Sequence, residues 1–239
     1  MTFSWFDIVV LFGVIQGLVS AILLIKNRKN AIGSKLLAAL LFVFSLLSFK
    51  IALHTLGLWD TKTFRYFPLA IDLLIQPLLY FYVCSLIIPD FRISGKKILH
   101  LFPPLIFFVH AILVYFAVIQ KTDLHVKDVI AEKWHFNAIK TFEDDLSVFS
   151  TIIYGWLSFR LVQGYRKWLY NHIAGTNYQT FGWLKNVLSF TGILGLGLLI
   201  NICLDQVFYF SNHHFLHWQV FYIYLSFLIY YIAYRSYQK

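Results

Sequence analysis

Residues 67–89 read FPLAIDLLIQPLLYFYVCSLIIP. The apolar part is long enough to cross a bilayer. It nevertheless holds Asp72, Gln76 and Pro77. An ionisable residue inside a spanning helix is costly, so it faces protein or trapped water and marks a candidate site. Asp72, Gln76 and Tyr80 are spaced i, i+4, i+8, which places them on one helical face. Pro77 has no backbone N–H, so the helix is expected to kink or loosen just below Gln76. The stretch reads as the third of seven spanning helices, with a polar stripe turned inward.

The rest of the chain agrees with a membrane domain. Of its 239 residues 59% are hydrophobic, 20% aromatic and only 13% charged, unlike a soluble domain. Apolar runs of spanning length recur, at 5–25, 36–56, 103–120, 146–163, 183–207 and 218–234 besides the quoted one at 67–88. Residues 1–239 therefore read as a single all-α domain of seven transmembrane helices. The first run has no basic residue before it and a basic cluster after it, the reverse of a secretory signal, so it is expected to remain as the first span. Pro103 and Pro104 sit at the start of the fourth span, where proline is tolerated. Gly13 and Gly17 form a small-xxx-small face for close packing, and Gly192, Gly195 and Gly197 do the same in the sixth span. The long connection 121–145 is expected to hold a short amphipathic helix over the mouth of the domain, using Val126, Val129, Ile130, Trp134 and Phe136. Cys84 and Cys203 fall at different depths, so buried thiols are expected rather than a disulfide.

The net charge of +9 is not a nucleic-acid signature here, because lysine and arginine cluster at the ends of apolar runs. Lys26, Arg28, Lys29, Lys35, Arg92, Lys96, Lys97, Arg160, Arg166, Lys167, Lys185, Arg235 and Lys239 fall on one side. Lys62, Arg65, Lys121, Lys127, Lys133 and Lys140 fall on the other, with most of the acidic residues. The positive-inside rule then sets the N-terminus outside and the C-terminus in the cytoplasm.

Residues 77–86, PLLYFYVCSL, resemble the "PLLYLYV.SL" signature of the seven-helix sensor region found in membrane-bound AraC-type transcription regulators, common in Bacteroidetes. KKILHLFPPLIFF (96–108) resembles the basic stretch, histidine and proline-bearing start of that region's fourth helix. YQTFGWLKNVLSF (178–190) resembles the start of its sixth. The resemblance covers essentially the whole chain. It implies a sensory and signalling domain in a bacterial inner membrane, reading an outside or lipid-borne cue. It also implies a possible homodimer, since such regulators read paired half-sites as dimers. The family's helix-turn-helix half has no counterpart here. The chain is then either truncated or a stand-alone sensor acting through a partner, and DNA is reached only through that absent module.

The best constellation of polar residues is Lys50, His54, Asp72, Gln76, Asn201 and Asp205, all in the outer halves of the second, third and sixth spans. Three readings stand side by side: a buried charge pair that locks packing, a pocket for a small-molecule or lipid ligand, and a proton or ion path. Lys50 is expected to pair with Asp72 or Asp205. His213, His214 and His217 have metal-compatible spacing but no fourth ligand, and read as an interfacial loop. His110 reads as a satisfied core histidine. No phosphate loop, zinc-protease motif or nucleophile elbow is present, so no enzyme, metal or cofactor is assigned. The seventh span has no lysine for a retinal Schiff base. The rival to the sensor is a small carrier of three plus one plus three helices, with the same topology.

Overall fold

The computed structural model describes residues 3–26, 31–172, 179–208 and 215–237. Among them the chain is all helical. Its helices are α1 (Trp5–Lys26), α2 (Ala31–Thr55), α3 (Ile75–Ile87), α4 (Phe102–Ile119), α5 (Leu124–Lys133), α6 (Phe136–His172), α7 (Gln179–Phe208) and α8 (Leu216–Tyr237). Short 3-10 helices cover Leu58–Asp60, Asp72–Leu74 and Gly95–Leu101. Five segments are long and apolar enough to cross a membrane, in α1, α2, α4 with its preceding 3-10 turn, α7 and α8. They are compatible with a multi-pass membrane protein. The outward faces carry side chains that water would reject, such as Phe12, Phe116, Ile152 and Leu196.

α2 is the central element. Leu40, Leu41, Phe44 and Leu53 are wholly buried on it. α1 and α8 close against it, with Val10, Leu225, Ile229 and Ile232 completing that core. Gly13 and Gly17 make this possible. A side-chain carbon on Gly13 would lie 2.9 Å from Ser226 Oγ of α8, and one on Gly17 would strike Ser45 of α2 and Ile229 of α8. The small-residue face is thus consumed inside the chain and is not free for a second copy. Beside this three-helix block, α2, α3, α6, α7 and α8 bound a second compartment. α4 lies to the side, on α6, α5 and the 3-10 turns.

Five expectations need correction. Residues 67–88 are not one helix: 67–71 are irregular, Asp72–Leu74 form a 3-10 turn, and α3 begins only at Ile75. Pro77 causes no kink, because it occupies the first turn of α3. There its missing N–H has no helical partner to lose, and the chain passes from 3-10 to α geometry around it. The span read as 146–163 is part of the 37-residue α6, which begins at Phe136 and takes in half of the long connection. α5 exists but docks only part of the expected face, with Ile130 packing inward beside Ala131. Lys127 and Ala131 are buried, whereas Val126 and Val129 face outward. Charge pairing explains this. Asp128 receives Arg65 Nε and Nη2 at 3.0 Å each and the Tyr66 hydroxyl at 2.9 Å. Lys127 Nζ donates to the Lys62 carbonyl. These bonds decide which face of so short a helix docks. Cys84 is a buried free thiol as expected, but Cys203, also free, is exposed on α7 and not buried.

Candidate functional site

Two features of the five-helix compartment have chemistry to offer. The first is a knot of charge where α2 ends and α3 and α6 begin. Asp72 Oδ2 accepts from Lys50 Nζ at 3.0 Å and from Lys140 Nζ at 2.7 Å. Lys140 also donates to Glu143 Oε2 at 2.8 Å and to Asp144 Oδ1 at 2.6 Å. Lys140, Glu143 and Asp144 follow i, i+3, i+4, so one turn of α6 presents all three. Glu143 is wholly buried, and its Oε1 has no hydrogen-bond partner. Two ammonium groups thus face three carboxylates, with Glu143 shut away from water and Asp144 still open to it. The knot ties three helices together at one point, and removing one member of such a set leaves a buried charge uncompensated.

The second feature is a cavity of about 510 Å³ that starts one turn away from the knot. At that end lie Gln76 and Thr151, whose side chains are joined by a 3.1 Å bond from Gln76 Nε2 to Thr151 Oγ1. Gln76 Oε1 is buried without a partner. The walls between are almost entirely apolar, and Arg166 of α6 and Lys185 of α7 line the far end. α6 and α7 touch where Gly195 meets Thr151, since a side-chain carbon on Gly195 would come within 2.5 Å of Thr151 Cγ2. Beyond that point Gly155 and Gly192 face open space, with nothing within 4 Å of where their side chains would begin. The glycines of α7 therefore do two jobs: Gly195 and Gly197 admit neighbours, whereas Gly192 leaves a gap.

The six residues picked from the sequence are divided by the fold. Lys50 and Asp72 meet in the charge knot as expected, and Gln76 lines the cavity. Asp205 lies elsewhere, receiving His217 Nε2 at 2.9 Å and Trp218 Nε1 at 2.7 Å, which staples α7 to the start of α8. Asn201 is buried on α7 one turn earlier. His54 is exposed and stacks on Trp59, ring centroids 4.5 Å apart. His213 and His214 lie outside the described residues, and His217 is the partner of Asp205 just given. His110 is satisfied by the Trp134 carbonyl at 3.0 Å.

Lys140, Glu143 and Asp144 are not among the residues that the sequence singles out, because their polar surroundings resemble a connection. Their i, i+3, i+4 spacing running into the apolar stretch from Leu146 was the available signal that the helix starts earlier. The cavity had no such signal, since nothing in the string tells a packing glycine from one that borders a void. No family model, curated protein or solved structure matches this chain.

Proposed function

We propose that this chain is a seven-span sensory domain of a bacterial inner membrane, N-terminus outside and C-terminus in the cytoplasm, that reports a cue taken up by its cavity. The observation that carries this is the cavity itself, set between helices held at one end by the charge knot and separated by the Gly155–Gly192 gap further along. Pockets of this size suit small ligands. A ligand shifts a conformational equilibrium only by binding one arrangement better than another. A chain in the gap favours one α6–α7 spacing, and α8, which also borders the cavity through Phe221 and Leu225, carries the change to the cytoplasmic end. The resemblance to AraC-type sensor regions supports an output on transcription, through a helix-turn-helix module on another segment or partner. The charge knot serves as the fixed end, because its residues do not line the cavity.

A reporter tests this. A DNA-binding domain that works only as a dimer is fused after residue 239, and output is read in cells at matched membrane levels. Filling the gap with Gly155→Leu or Gly192→Leu should change output several-fold. Unchanged output in both variants and in their combination sinks the sensory reading. One observation favours the carrier instead: α4 lies outside, with three apolar helices before it and three long helices after it. A carrier exposes its site to both sides in turn. Labelling of a Thr191→Cys cavity position by impermeant reagents from both faces would support that reading and count against the sensor.

A further inference from the structure

We infer that the cavity holds one single-chain anionic amphiphile, a long-chain fatty acid or a close analogue, with its carboxylate between Arg166 and Lys185 and its chain lying between α6 and α7. This inference rests on the reading of the cavity as the site of the cue and names the cue's chemistry.

Shape comes first. Arg166 lies fifteen residues beyond Thr151 on α6, and Leu198 thirteen beyond Lys185 on α7. At 1.5 Å per residue the cavity is about 20 Å long. That exceeds half of a hydrocarbon core of about 30 Å, and so the reach of one leaflet's chains. A volume of about 510 Å³ spread over such a length is a narrow tube. An extended alkyl chain fits along it.

Charge comes second. The lining contains two cations and no carboxylate, and both cations are at the same end. Among the described residues, neither Arg166 nor Lys185 has an acidic partner within ion-pair distance. They come from different helices, so an anion between them satisfies both and bridges the gap. Guanidinium and ammonium groups are the usual partners of a carboxylate. Because the two cations line the tube itself, the head group belongs inside it.

Access comes third. Gly155 and Phe159 on one wall and Ser189 and Gly192 on the other are exposed on the outside of the bundle. The tube is therefore open sideways. In a membrane that side faces lipid, and an amphiphile reaches the tube from the bilayer without crossing water.

The test uses the full chain in nanodiscs of phosphatidylcholine. The probe is cis-parinaric acid, a fluorescent fatty acid whose emission is excited by energy transfer from tryptophan, and Trp183 is buried near the basic end. Saturable transfer is expected, displaced by palmitic acid but not by methyl palmitate or hexadecylamine. Arg166→Gln with Lys185→Gln should weaken probe binding at least tenfold, and Arg166→Lys should restore most of it beside native Lys185. Gly155→Leu with Gly192→Leu should abolish it. The charge variants change exposed residues only, so they keep the test decisive if the filled variant does not fold. Equal displacement by ester and amine would overturn the inference. Displacement by phosphatidylglycerol but not by palmitate would overturn it too, as would unchanged affinity in the charge variants. Fatty-acid binding with an unresponsive reporter would leave this inference standing and sink the sensory reading. A responsive reporter without fatty-acid binding would sink the inference alone.

Discussion

Asp72 is the residue on which most depends, because two ammonium groups share its Oδ2. With every member ionised the knot holds one more negative charge than positive. Lys50→Ala raises that excess to two, whereas Lys50→Ala with Asp72→Ala returns it to one. The double variant should therefore be more stable than Lys50→Ala alone, which should lose less than the ~3–5 kcal/mol of a fully buried pair, since Lys50 and Asp72 are part-exposed and Asp72 keeps Lys140. Thermal unfolding in detergent decides the order, and a double variant worse than the single would refute the knot as a charge-balanced unit. Tyr66 offers a pH-dependent case outside the spans. Its burial, and next the Asp128 carboxylate that its hydroxyl binds, push the phenol from 10 up to about 12. The folded pKa is raised. The stabilisation is therefore complete below pH 10 and is lost as pH rises through about 12. Ultraviolet titration of tyrosinate together with α5 accessibility should show this loss, and Tyr66→Phe should remove it.

At the scale of elements, the contrast is between glycines that touch and glycines that do not. Gly17→Val drives a branched side chain into Ser45 and Ile229, where overpacking costs about 1–3 kcal/mol. Gly164→Ala meets nothing on α6 and should gain up to about 1 kcal/mol of helix propensity. A thermal-shift comparison checks both signs. The same contrast shows what was legible beforehand. The limits of α1, α4 and α8 follow from apolar run length, since a spanning helix must be apolar over a fixed distance. The start of α3 was misplaced because Phe67 to Ile71 is as apolar as a helix but cannot continue through Pro68 and Pro77 as one. The start of α6 was misplaced because Phe136 to Asp145 is polar, and polarity looked like a loop. Its Lys140 is in fact paired with Glu143 and Asp144 of the same turn and with Asp72, and only the folded chain brings Asp72 to it. That Lys50 needs an acidic partner is legible because isolated charges in apolar runs must pair, but the choice of Asp72 over Asp205 is not, since only the fold gives Asp205 to His217 and Trp218. The cavity is not legible either, because a void is a property of spacing between helices.

For the whole molecule, orientation is the first thing to test. On a background with Cys84→Ala and Cys203→Ala, a cysteine at exposed Val129 should react with an impermeant reagent in intact cells, and one at exposed Lys96 should not. The opposite pattern reverses the topology. The other whole-molecule property concerns salts. One ligand oxygen from each of Asp72, Glu143 and Asp144 lies within 4.8 Å of the others, a spacing that suits a divalent cation. The chain supplies its own occupant, the ammonium of Lys140, as a tethered counter-ion. A tethered ion has no dissociation constant, so the native bundle should keep the same melting temperature at any magnesium or calcium concentration. Lys140→Ala cuts the tether. The bundle should then become a borrower, melting several degrees lower in chelator and recovering as millimolar calcium or magnesium is added. Recovery by neither ion would mean that the three carboxylates do not stay together once their own cation is gone.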